Sequence, residues 1–371
     1  MVMVLSIAIT GFFAAIAIYT PQLAPLQRVL ENFSFSDIYY EINREVTTGD
    51  TCRVITIVDL TKLTNRTVIA ETIEDIEAAH PKVLTVDACF DNFGEDLGGN
   101  LLITEVAAKY NNIVWSMKCL DYKNDSIGWS KTIHSFFTEE VKVREGSSNM
   151  PRGNEYDSMK RKVPLGELAL GKRVPSLCLQ TAELYTGRDI DCGRTEDISI
   201  NYSPTVFRKL NPKDVRKHPE LIEGQIVLLG SLYEDADTHW TPVGKIAGVQ
   251  VLAYGIQTLI YDRQPKEMPT ALFYILSLLM ILFMQTLQAW YIDRTSASRS
   301  LFVRYVVGSG YVIGLWTALF TFIFLFFGYL LFTLYCITFN IAWAMSVVAF
   351  LGTSRSMYDA IRDYISARRK S

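Results

Sequence analysis

The chain has 371 residues, with 36 Lys and Arg against 39 Asp and Glu, for a net charge of −3. So balanced a charge offers no basic field for nucleic acid. Hydrophobic residues make up 49% of the chain and gather in long charge-free runs, which argues for a membrane protein.

The first run, Met1 to Gln27, carries no charge. Residues 1–21 are predicted to be a transmembrane anchor. Ala15-Ile16-Ala17 also fits a small-residue signal cleavage site, but the run is longer than a usual signal core and lacks a basic start. Either reading exports the chain from residue 22 onward.

Residues 22–267 read as one extracytoplasmic α/β domain with a mixed, partly parallel sheet. Short β-branched runs at Val54–Val58, Val83–Val86, Ile113–Trp115, Ile198–Ile200 and Ile226–Leu229 predict strands buried on both faces. Helical spacing at Thr67–Ala79, Leu101–Tyr110 and Val249–Tyr261 alternates with them, as in parallel sheets. Asp121–Pro164 is polar with weak periodicity and reads as an irregular or hairpin-rich insertion.

Two further charge-free runs come next, Met268–Ile292 and Tyr305–Ser354. The first predicts a span over 269–292. The second is far too long for one crossing, so it reads as two spans, 305–326 and 329–351, with a turn at Gly328. Four spans are therefore expected in all. Arg294, Arg299 and Arg304 lie in the loop 293–304. Arg355, Arg362, Arg368, Arg369 and Lys370 lie in the tail 352–371. The positive-inside rule places both in the cytoplasm and the large domain outside. Five of the six cysteines fall in the exported region, where disulfides persist. Cys178 and Cys192 are the preferred pair.

The order of motifs resembles the second type of CHASE sensory domain, the extracytoplasmic module of bacterial histidine kinases and nucleotide cyclases. Phe35-Ser36-Asp37-Ile38-Tyr39-Tyr40 resembles its short Tyr-Asp helix. Arg53–Asp59 resembles its first strand, and Val83–Phe90 its second strand with an Asp-x-x-Phe ending at Asp87. Asp96 and Leu101 fit the following loop and helix. Pro175-Ser176-Leu177 and Ile200-Asn201-Tyr202 resemble two further family motifs. Ile226–Ser231, Asp237, Thr241-Pro242 and Gly248-Val249 resemble its most specific stretch. One ectodomain followed by three spans is the family's usual arrangement.

Three departures stand out. The family's acidic Gly turn appears only as Tyr156-Asp157-Ser158-Met159-Lys160-Arg161. Leu252 and Tyr254 replace a polar pair in the helix after Gly248. About 20 residues remain after the last expected span where the family usually continues into an output domain. The resemblance implies a bacterial inner-membrane protein with its main domain in the periplasm.

Ligands in open α/β sheets sit beyond the carboxyl ends of the strands. Asp59, Asp87, Asp91 and Ser231 are expected there, with Asp235, Asp237 and His239 close behind. Together they suggest an acidic pocket for a cation or cationic small molecule. The competing reading is that these side chains satisfy loop and helix N-terminal amides. The metal question stays open, and no cofactor is expected. Gly98-Gly99 before a helix suggests a phosphate cradle, or simply a helix start. No nucleophile elbow, zinc-protease motif or P-loop occurs, so an enzyme is not expected.

Gly310 and Gly314 form a G-x-x-x-G spacing that lets helices approach closely. In the tail, Ile361 and Ile365 share an apolar face with Met357 and Tyr364, suited to a docking partner or to the inner leaflet. The expected function is a membrane-bound sensor or signalling adaptor that relays an external cue to a separate cytoplasmic partner. The alternative is a structural subunit of an envelope complex that uses the sensory fold for assembly. Membrane lipid and a protein partner are expected, a homo-oligomer is left open, and nucleic acid is not expected.

Overall fold

The computed structural model describes residues 2–19, 34–46, 50–61, 63–124, 126–150, 159–190, 197–233, 237–340, 357–358 and 360–367. The chain divides into two units. One comprises Met1–Tyr39 with Pro265–Ser371, and the other Tyr40–Gln264.

In chain order the helices are α1 (Val2–Tyr19), α2 (Phe35–Val46), α3 (Arg66–Ala78), α4 (Leu97–Lys109), α5 (Leu177–Thr186), α6 (Gly248–Tyr261), α7 (Thr270–Ser296) and α8 (Gly310–Tyr335). The strands are β1 (Asp50–Asp59), β2 (Val83–Val86), β3 (Ile113–Asn124), β4 (Gly128–Ile133), β5 (Arg144–Ser147), β6 (Lys162–Pro164), β7 (Gly166–Ala169), β8 (Lys172–Pro175), β9 (Asp197–Ser199), β10 (Thr205–Leu210), β11 (Ile226–Gly230), β12 (Thr238–Thr241), β13 (Gly244–Ala247), β14 (Lys266–Glu267) and β15 (Ile337–Thr338).

The second unit is built on a nine-stranded sheet in the order β10-β1-β11-β2-β3-β4-β7-β8, with β5 pairing β3. From β10 through β3 all neighbours are parallel, and β3–β4 and β7–β8 are antiparallel. The mixed α/β class expected from the alternating elements is therefore present. Ile198–Ile200 is a correction. That run forms the short strand β9, which pairs β6 outside the main sheet. The strand beside β1 is β10, whose Arg208 and Lys209 hide it from an apolar-run reading. Charges are common on such edge strands because they discourage pairing with other chains.

Alternation along the strands separates two cores. Val58, Leu229, Val86 and Trp115 share a row and face α3 and α4, packing on Ile69, Ile73, Ile76, Ile103 and Val106. Each such aliphatic burial stabilises the fold by about 1.5–3 kcal/mol. Ile57, Leu228, Thr85 and Val114 form the adjacent row on the opposite face. There the Thr85 hydroxyl lies 2.8 Å from that of Thr181 on α5, and α5 packs on α6. The helices α3, α4 and α5 each start at a side-chain cap, and α4 begins at Leu97, four residues before the expected Leu101. Asn65, Asp96 and Ser176 each accept a backbone N–H three residues on, from Val68, Gly99 and Leu179.

In the other unit, Ile281 and Met284 of α7 pack on Phe320 of α8, with Ile7 of α1 against them. Two helices among the described residues are long and apolar enough to cross a membrane, Thr270–Ser296 and Gly314–Tyr335, by length and composition. Four spans were expected. The first run forms the 18-residue helix α1. The run expected to make two spans instead contributes a single helix as far as Tyr335, and 341–350 lie outside the described residues.

The predicted turn at Gly328 is also corrected. One glycine costs a helix only about 1 kcal/mol, and α8 runs straight through it. A Cβ at Gly328 would stand 2.8 Å from the Phe35 ring and 2.9 Å from that of Phe339. The glycine thus serves a close approach. The helix ends at Cys336, which adopts a left-handed φ of 53°. There Lys266 N–H donates to Cys336 O at 2.8 Å, Met268 N–H to Thr338 O at 2.8 Å and Phe35 N–H to Phe339 O at 3.0 Å.

Candidate functional site

β1, β11 and β2 end on one row, where register places Asp59 opposite Gly230 and Asp87 comes directly after Val86. Chain direction splits here. The connections after β1 and β2 lead to α3 and α4 on one face of the sheet. The connection after β11, lying between them, leads to α6 on the other. Such a switch point opens a crevice at the carboxyl ends of the strands.

The seven candidate residues do not form one pocket. Asp59 and Ser231 close the loops. Asp59 Oδ1 accepts from the Thr61 hydroxyl at 2.5 Å, Thr61 N–H at 2.9 Å and Leu232 N–H at 3.0 Å. The Ser231 and Thr61 hydroxyls lie 3.1 Å apart. This is the amide-satisfying role, and it stitches the end of β1 to the end of β11. Asp91 is exposed. Asp235 lies outside the described residues.

Asp87, Asp237 and His239 do come together. The first two interact electrostatically, and His239 Nε2 stands 3.4 Å from Asp237 Oδ1. Backbone approaches closely around them. A Cβ on Gly230 would lie 2.8 Å from Val249 Cγ2 and 3.2 Å from Asp87 Cβ, and one on Gly248 would lie 2.6 Å from the Asp237 carboxylate. The N-cap of α6 is Ala247, which has no capping side chain of its own. Asp237 therefore supplies negative charge at that helix N-terminus.

Asp87 is different in kind. It is half-buried, and its carboxylate has no hydrogen-bond partner among the described residues. Burial, with the negative Asp237 beside it, pushes its carboxyl up to about 7, partly offset by Lys118 and His239. Near neutral pH it therefore exchanges a proton readily. Below it, burial and the Asp87 charge push the Cys178 thiol up to about 12, so it is no nucleophile.

Cys178 is also a free thiol, with its sulfur 3.7 Å from the Leu252 carbonyl. The sequence reading pairs it with Cys192. Cys192 itself lies outside the described residues. Among the described residues no group of three or more His, Cys, Asp and Glu is arranged to hold a metal ion.

Lys118 was missed from sequence. Its signal is a single cation inside the buried stretch of β3. The Gly98-Gly99 cradle is filled by the chain itself, since Asp96 Oδ1 accepts Gly99 N–H at 2.9 Å. In the spans, a Cβ on Gly314 would meet nothing within 4 Å, so no described segment seats on it, and nothing is described of the surroundings of Gly310. In the tail, Ile361 and Ile365 are exposed on a helix.

A family model described as the CHASE2 domain matches residues 9–288. No curated protein and no solved structure matches the chain.

Proposed function

The chain belongs to the CHASE2 family of sensory domains, and from that premise we propose that it is a membrane-anchored sensor whose large domain lies outside the cytoplasm. The proposed role is binding and relay rather than catalysis. In this reading a cue reaches the crevice at Asp87, Asp237 and His239, and the response passes through the spans to a separate cytoplasmic partner. A half-buried carboxyl poised near pH 7 suits a proton or a cationic group as the cue.

One observation carries the relay. The segment Cys336–Phe339, at the end of α8, accepts hydrogen bonds from both chain connections to residues 40–264: from Phe35 on the entering side and from Lys266 and Met268 on the leaving side. The Ser34 hydroxyl adds a 2.6 Å contact to Thr338 Oγ1. A shift in either connection must strain the end of that helix or break these bonds. The arginines at 294, 299 and 304 support a cytoplasmic loop after α7.

Two measurements test this reading. Reporter fusions after Ser371 and within 121–150 should report opposite sides of the membrane. Purification in mild detergent should recover a cytoplasmic protein whose association changes on Asp87→Asn. Reporters on the same side would overturn the topology. A partner indifferent to Asp87 would overturn the assignment of the crevice as the input.

A further inference from the structure

Phe93, Leu97 and Leu101 are 61%, 62% and 68% exposed. They run in succession from the loop after β2 onto the outer face of α4, where positions 97 and 101 are one turn apart. Val68 on the neighbouring α3 is exposed as well. Scattered exposed apolar residues need no explanation, but a contiguous set marks an interaction site.

The loop is held in place rather than free to fold over its own apolar groups. Arg66 donates to Asn92 O at 2.8 Å, to Asn92 Oδ1 at 3.0 Å and to the Asn100 side chain, and its guanidinium lies 5.2 Å from the Phe136 ring centre. Phe93 leans edge-on against Phe136, 5.2 Å between centres. The presenting surface is thus preorganised, which lowers the ordering cost of binding.

The rim decides the partner. Glu71, Asp91, Glu95 and Glu105 are exposed around these residues, and Glu105 continues the face of Leu97 and Leu101 one turn on. The nearby cations are already engaged, Arg66 by the asparagines and Lys109, one turn beyond Glu105, by Glu74 at 2.9 Å. A second copy of this face would set acid against acid, and an anionic lipid surface would be repelled.

The geometry points to a docking surface for a basic amphipathic segment of a second protein, with apolar side chains seated on Phe93, Leu97 and Leu101 and Lys or Arg against the acidic rim. This inference rests on the surface of the domain alone and does not require the relay.

The test places a photo-crosslinking aromatic residue at position 101 of the full chain, in the membranes of the organism that makes it. The expected result is one discrete adduct with another protein. Its yield should fall at least about tenfold in the double variant Glu95→Lys, Glu105→Lys, and also in Phe93→Ser. Thermal melting should be unchanged in the charge-reversal variant, because both glutamates are exposed. An adduct at twice the mass of this chain, an adduct to lipid, an adduct insensitive to the charge reversal, or no adduct would each overturn the proposal.

Discussion

The carboxylate of Asp237 stands 2.6 Å from the point that a Cβ on Gly248 would occupy. The first residue of α6 is thus glycine because the loop after β11 returns its acid directly onto the helix N-terminus. Gly248→Ala should cost about 1–3 kcal/mol through overpacking, read as a lower melting temperature. Asp237→Ala should cost less, about 0.3–1 kcal/mol for the lost helix-terminal charge. In the double variant the Gly248→Ala cost should largely vanish. Full additivity would show that the two groups do not press on one another.

Asp87 predicts a pH dependence with a definite sign. Its folded carboxyl is raised to about 7, above the unfolded value near 4. Below about pH 4 it is neutral in both states and costs nothing. As pH rises toward 7 the unfolded state gains by ionising, so stability falls across that window. Glu77, also raised to about 7 by burial, contributes a slope of the same sign. Asp87→Asn should therefore match the parent near pH 4 and melt higher at pH 8, with the remaining slope due to Glu77. Melting curves across that range that superimpose for the two proteins would refute the assignment.

Gly328 and Gly314 of α8 should respond in opposite ways. Gly328→Leu must displace the rings of Phe35 and Phe339, which a Cβ alone would approach to within 2.9 Å. It should lower detergent stability and loosen a cross-link placed between positions 34 and 340, which form an isolated β-bridge. Gly314→Leu meets nothing within 4 Å and should leave a single chain unaffected. A loss of oligomer on Gly314→Leu would show that a second copy seats there.

The tail separates two attachments. Its Met357, Ile361, Tyr364 and Ile365 are exposed, and so short a helix is marginal by itself. Removing Arg368, Arg369 and Lys370 should weaken a leaflet-bound tail by roughly 1 kcal/mol per basic residue. Ile361→Ser with Ile365→Ser should release a protein partner while the chain stays inserted. Co-purification that survives deletion of 357–371 would exclude the tail as the docking element.

Much of the fold was legible in the sequence, because local composition decides it. Val83–Val86 appears as the strand expected, since a run apolar on both faces has nowhere to sit but a covered parallel sheet. The helices at Thr67–Ala79 and Val249–Tyr261 were legible from their period. Asp59, Asp87 and Ser231 were placed at strand ends for the same reason. What the sequence could not decide were the relations set by tertiary packing. β11 inserts between β1 and β2, and that order brings Asp87 beside Asp237 while turning Asp59 and Ser231 into loop ties. Lys118, exposed on the neighbouring strand β3, acts on Asp87 through its charge. Cys178 is buried with its sulfur against the Leu252 carbonyl of α6. Gly328, read as a turn from its backbone freedom, lies in mid-helix because two aromatic rings from distant segments need the space a side chain would take.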